Sequence, residues 1–174
     1  DVHGYADRWA TLDGRCIFPY EMNRVYLNRG DHFDDVARDV GLDELGNARG
    51  IALVDLDNDG DLDMMMTRQF APLSMYRNDA TEKQWVGLQL SGNGRQCNSN
   101  AIGTRVVVSD SRGGRQIRDV QASNGLSAQG DSRLLFGLDA NPDKVAVSIY
   151  WCGQRDAEII ELSPGRYHHV RQQS

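Results

Sequence analysis

No apolar run in this sequence approaches the roughly 20 residues that a membrane span needs. Positive charge is in deficit as well: 25 acidic against 19 basic side chains leave a formal charge of −6. That balance argues against nucleic-acid binding as the main task. No C-x-x-C spacing occurs, so zinc is not expected. No Gly-x-Ser-x-Gly elbow and no phosphate-cradling glycine loop occur, and the chain is read as a non-enzyme. No Asn-x-Ser/Thr sequon marks a glycosylation site. Aromatic residues make up only 7%, against 18 glycines, a balance that predicts many tight turns and few helices. No signal peptide is read in the sequence, which opens at Asp1 as a processed secreted protein could.

The densest signal is Asp55-Leu56-Asp57-Asn58-Asp59-Gly60-Asp61-Leu62-Asp63. Five carboxylates this close repel one another unless a cation neutralises them. Carboxylate oxygens at alternating positions suit Ca²⁺. Asp55, Asp57 and Asp59 are expected to point into one concave loop. Gly60 permits the turn that brings the Asp61 carbonyl inward, and Asp63 closes the loop from the next strand. An EF-hand would need a bidentate Glu at its twelfth position, which here is Met66, and flanking helices. The flanks are short apolar runs instead, Ile51–Val54 and Leu62–Thr67, which read as strands. The bland alternative, an acidic solvated turn, does not need this carboxylate density.

Alternation and turn residues predict further strands at 23–28, 50–54, 62–67, 73–78, 85–90, 102–109, 116–121, 133–138, 144–151, 157–162 and 167–171. Residues 33–42 read as a short helical or looped connection. Val25-Tyr26-Leu27-Asn28 echoes Met75-Tyr76-Arg77-Asn78, 50 residues on, a period that suggests a propeller-type repeat of which only one full unit fits. The second half, with strands at even spacing and Gly-rich turns, reads as an antiparallel sandwich or barrel.

Asn23 to Asp31 followed by Gly50 to Asp63 resembles an FG-GAP/VCBS-type repeat. Trp85-Val86-Gly87-Leu88-Gln89-Leu90, Asn100 to Val106, Leu135-Phe136-Gly137-Leu138 and Trp151-Cys152-Gly153 resemble an ASPIC/UnbV domain. Such a pairing is characteristic of secreted proteins similar to cartilage acidic protein. The resemblance implies a secreted, calcium-binding, mostly β protein, with Asp55, Asp57, Asp59, Asp61 and Asp63 as metal ligands. Full members carry several repeats, whereas this chain has about one. The implied division is an arm at 1–22, a calcium-binding repeat at 23–80 and an ASPIC/UnbV-like domain at 81–174. Three cysteines leave one over if a pair forms. A Cys97–Cys152 bridge would staple two loops of the second domain, leaving Cys16 for a bond between chains.

One repeat cannot protect its strand edges by radial repetition. Three resolutions stand open: the repeat packs on the second domain, the chain is a fragment of a longer protein, or a neighbouring copy donates a strand. Residues 1–20 are the natural donated arm, and head-to-tail donation would build filaments. The expected function is an extracellular structural or adhesion protein that associates with copies of itself or with matrix. The alternative is a calcium-dependent carbohydrate-binding module or enzyme domain, in which Trp9, Trp85 and Trp151 stack on sugars; for Trp85 and Trp151 core packing is favoured. Arg29-Gly30-Asp31 reads as a turn, Asp34-Asp35 as solvated, and His168-His169 as unable to share one metal, since adjacent strand residues face opposite ways.

Overall fold

The computed structural model describes residues 21–68, 71–79, 84–109, 114–125, 129–139 and 142–173. The expectations for Trp9, Cys16 and the arm at 1–20 lie outside these residues. The described residues form fourteen strands: β1 (Glu21–Met22), β2 (Tyr26–Asn28), β3 (Phe33–Asp35), β4 (Leu45–Gly46), β5 (Ala48–Val54), β6 (Asp63–Arg68), β7 (Ser74–Tyr76), β8 (Gln84–Ser91), β9 (Arg105–Ser109), β10 (Arg115–Asp119), β11 (Leu134–Leu138), β12 (Val145–Tyr150), β13 (Glu158–Leu162) and β14 (Tyr167–Arg171). No α-helix occurs among the described residues; one 3-10 turn spans Trp151–Gly153. The fold is mostly β, as the glycine-rich, aromatic-poor composition predicts.

By contacts the described residues form two compact units. Residues 21–49, 67, 68, 71 and 72 form the first; residues 50–66 and those from Leu73 onward form the second. In the first unit, β2 pairs with β3 and β1 with β4. The connection expected at 33–42 is corrected here: Phe33–Asp35 is a strand, because Asn28-Arg29-Gly30-Asp31-His32 folds it back onto β2. The Asn28 side chain accepts the Gly30 N–H at 2.7 Å, and Gly30 takes φ +101°. Arg29 is paired to Asp34 and His32 to Asp31, so the tripeptide Arg29-Gly30-Asp31 is a locally bonded turn. Asp35 is held by Arg24 at 2.6 Å, and this bond lowers its pKa.

In the second unit a sandwich forms from a four-stranded sheet, β10-β9-β12-β13, and a three-stranded sheet, β11-β8-β14. All pairings are antiparallel except β14 with β8, which is parallel. Val106, Val108, Val147 and Ile149 from one sheet meet Val86, Leu88, Leu134 and Phe136 from the other. The alternation of these residues with polar ones is what specifies a half-buried strand. Burying each fully contributes about 1.5–3 kcal/mol. The free edge of β11 is capped by side chains: Gln116 donates to the Gly137 carbonyl at 2.5 Å and Arg118 to that of Leu135 at 3.3 Å.

Cys97 and Cys152 form a disulfide with Cα atoms 5.3 Å apart. Beneath it the buried Thr104 hydroxyl accepts the Cys152 N–H at 3.2 Å. A separate three-stranded sheet, β5-β6-β7, carries the acidic loop between β5 and β6. It is the propeller-type element, and among the described residues none of the sheets closes.

Candidate metal centre

The acidic segment leaves β5 at Asp55 and enters β6 at Asp63. Both residues are almost fully buried, at 1% and 2% exposure. Asp63 works as a staple: its two carboxylate oxygens accept the N–H of Leu56 and of Asn78, each at 2.9 Å. Asp59 accepts the Asp61 N–H at 3.1 Å, which tightens the turn. Asn58 and Gly60 take positive φ, 63° and 97°; both are types that tolerate it.

The structure brings one carboxylate oxygen each of Asp55, Asp57 and Asp63 within 4.8 Å of one another. Asp59 and Asp61 stand outside that group. At such a separation the buried pair Asp55 and Asp63 repel by about 3 kcal/mol at an effective dielectric of about 20. Asp55 Oδ2 accepts two hydrogen bonds, from Gly60 N–H at 3.1 Å and Tyr167 hydroxyl at 2.8 Å. Its other oxygen, Oδ1, is buried with no hydrogen-bond partner among the described residues. A buried carboxylate oxygen left bare is costly unless a cation takes it. Nearby arginines do not meet the need, since Arg133 is bound by Asp131 and Arg77 by Asp79. Three hard carboxylate donors grouped this closely, one of them on a buried residue with an oxygen that has no hydrogen-bond partner among the described residues, fit a divalent cation of the calcium type.

The loop rests on the outer face of the three-stranded sheet β11-β8-β14, and side chains from far along the chain hold it there. Trp85 of β8 lies so close over Gly60 that a Cβ there would sit 2.0 Å from the indole nitrogen. Trp85 in turn packs against Tyr167 at 5.1 Å between ring centroids. The Tyr167 ring covers Gly87, where any side chain would collide with it. Arg133 sits 4.1 Å above the Tyr167 ring and donates both to Asn58 Oδ1 and to the Asp55 carbonyl. The Asp131 N–H donates to the Leu53 carbonyl at 3.0 Å, fixing the end of β5. Burial, followed by the bond to Asp55, pushes the Tyr167 phenol well above its ordinary range, so it stays protonated as a donor.

Of the other residues singled out in the sequence, Trp85 and Trp151 are buried, and the Trp151 indole donates to Glu158 at 2.7 Å. Neither is available to stack on a sugar. His168 donates to the Ser163 carbonyl and His169 bonds to Ser91, so the two serve separate partners. Sequence reasoning missed Arg133 and Tyr167. Tyr167 is 112 residues from Asp55 and Arg133 is 78 from it, and no local spacing signals either.

No curated protein matches the chain. A family model described as an FG-GAP-like repeat matches residues 4–66, and one described as ASPIC and UnbV matches residues 94–174. The acidic loop thus falls in the repeat by sequence and rests on the β11-β8-β14 sheet by contact. The chain carries an FG-GAP-like repeat followed by an ASPIC/UnbV domain.

Proposed function

We propose that this chain is a calcium-binding structural and adhesion module of the extracellular space. The carrying observation is the buried Asp55 carboxylate: one oxygen is satisfied by Tyr167 and Gly60, the other has no hydrogen-bond partner among the described residues, and the carboxylate is grouped with those of Asp57 and Asp63. Bound calcium supplies positive charge to these carboxylates. Asp55 and Asp63 act from the ends of β5 and β6, and Asp57 closes the group from the exposed side. Asp59 and the Asp61 carbonyl complete the set in this reading. Tyr167, Trp85 and Arg133 hold the loop against the sandwich, so loop order and domain stability rise together. The disulfide and a millimolar calcium supply both belong to an oxidising exterior.

Self-association is the second part of the reading, and one edge favours it. Among the described residues β13 pairs only with β12, and it carries Ile159, the most exposed large apolar residue described, at 72%. An open edge with an exposed apolar side chain is a template for another strand. Negative-stain electron microscopy and sedimentation velocity, in calcium and in chelator, test both parts. Oligomers or filaments that dissociate without calcium are expected. Single particles of one size in both conditions refute the assembly reading.

A further inference from the structure

The outer face of the β10-β9-β12-β13 sheet carries an open groove of about 1040 Å³. Strand register lays out its floor. Asp119, Arg105 and Tyr150 form one row across β10, β9 and β12; two residues along, Ile117, Val107 and Ser148 form the next. Arg115 stands two residues beyond Ile117 on β10, about 13 Å along the strand from the first row. Arg155 lines the groove just past the turn that follows Tyr150. Arg105 is fixed by a two-pronged pair with Asp119, at 2.8 and 3.0 Å. The side chains of Arg115 and Arg155 are exposed and make no ion pair among the described residues. In a chain of charge −6, three arginines against one aspartate among the described residues that line this concave face is a local reversal of sign.

We infer that this groove binds an acidic polysaccharide, a chain of sugar rings bearing carboxylate or sulfate groups. Guanidinium groups pair with both kinds of oxyanion through parallel N–H donors. The Tyr150 ring and Ile117 offer a floor for the apolar faces of sugars. Gln121 and Gln154, whose amides both donate and accept, match hydroxyls. An acidic peptide fits less well: the floor is made of strand faces rather than an edge, so a peptide backbone finds no ladder to join. The site shares no residue with the acidic loop and stands whether or not that loop holds calcium.

The test is calorimetric titration of the whole chain, at low salt and fixed calcium, with polygalacturonate, dextran sulfate, neutral dextran and polyglutamate. Polygalacturonate or dextran sulfate is expected to bind at least about tenfold more tightly than dextran or polyglutamate, and the stronger of the two assigns the anionic group as carboxylate or sulfate. Arg115→Gln with Arg155→Gln is expected to weaken that binding about tenfold, a modest loss because both sites are exposed. The melting temperature should not change. Absence of acidic-polysaccharide binding, equal binding of polyglutamate, or a double variant that binds like the parent chain would each overturn the inference.

Discussion

Gly60→Ala tests the docking of the acidic loop more sharply than any change of a carboxylate. Two costs fall on this substitution. An alanine at φ +97° occupies backbone space that L-residues rarely adopt, which costs about 1–2 kcal/mol. Its Cβ would also lie 2.0 Å from the Trp85 indole nitrogen, well inside contact distance. Trp85 is 9% exposed and packed against Tyr167, so the ring can move only by disturbing β8 and β14. Overpacking of this kind costs about 1–3 kcal/mol. The sum, about 3 kcal/mol, corresponds to a fall in melting temperature of about 6–12 °C for a chain of this size. Gly165→Ala is the control: Gly165 has φ +78° in the same unit but nothing within 4 Å of the added carbon, so it carries the strain alone. Scanning calorimetry in calcium should separate the two variants by at least about 3 °C. Equal losses would mean that Trp85 does not bear on the loop, and the proposed coupling would be wrong.

Tyr167→Phe removes one of two donors to a buried carboxylate and should destabilise the domain by about 1–3 kcal/mol, measured by calorimetry in calcium. Calcium at 100 times its Kd should stabilise by about 2.7 kcal/mol, so chelation should lower the melting temperature by roughly 5–11 °C; equal melts in calcium and chelator would count against the site. Replacing Cys97 and Cys152 with serine releases a loop closed over a separation of 55 residues and should cost up to about 4 kcal/mol, read from urea unfolding. The bond from Arg105 lowers the pKa of Asp119 in the folded chain. Its stabilisation is therefore present above the unfolded pKa of about 4 and lost as pH falls through the lower folded value. Arg105→Gln should remove that acid-side slope, a small effect because solvent screens this exposed pair, in melts between pH 2 and 5.

The strands of the sandwich were legible because their side chains alternate under burial on one face. Trp85–Leu90 and Lys144–Trp151 fall within a residue of β8 and β12, while the strand expected from Ile102 begins at Arg105. The delay has a physical cause: Ala101 and Gly103 take positive φ in a turn held by the Asn98 side chain. β1, β3 and β4 are two or three residues long, too short for any period to register. The acidic loop was legible from carboxylate spacing alone. What alternation could not divide was labour among the aspartates: Asp55, Asp57 and Asp63 converge, while the Asp59 carboxylate turns back to bond the Asp61 N–H. Cysteine parity left the pairing open, and the fold resolves it by bringing Cys97 and Cys152 together. The partners of the loop, Trp85, Arg133 and Tyr167, were beyond reach because their relation to Asp55 exists only after β8, β11 and β14 assemble.

Calorimetric titration of calcium into the native chain, beside Asp55→Asn, tests the central claim most directly. The account predicts saturable binding by the native chain that Asp55→Asn weakens at least about tenfold, since the variant removes the charge of the buried carboxylate that lies with Asp57 and Asp63 and whose Oδ1 has no hydrogen-bond partner among the described residues. Absence of calcium binding by the native chain, or an unchanged affinity in Asp55→Asn, would contradict it.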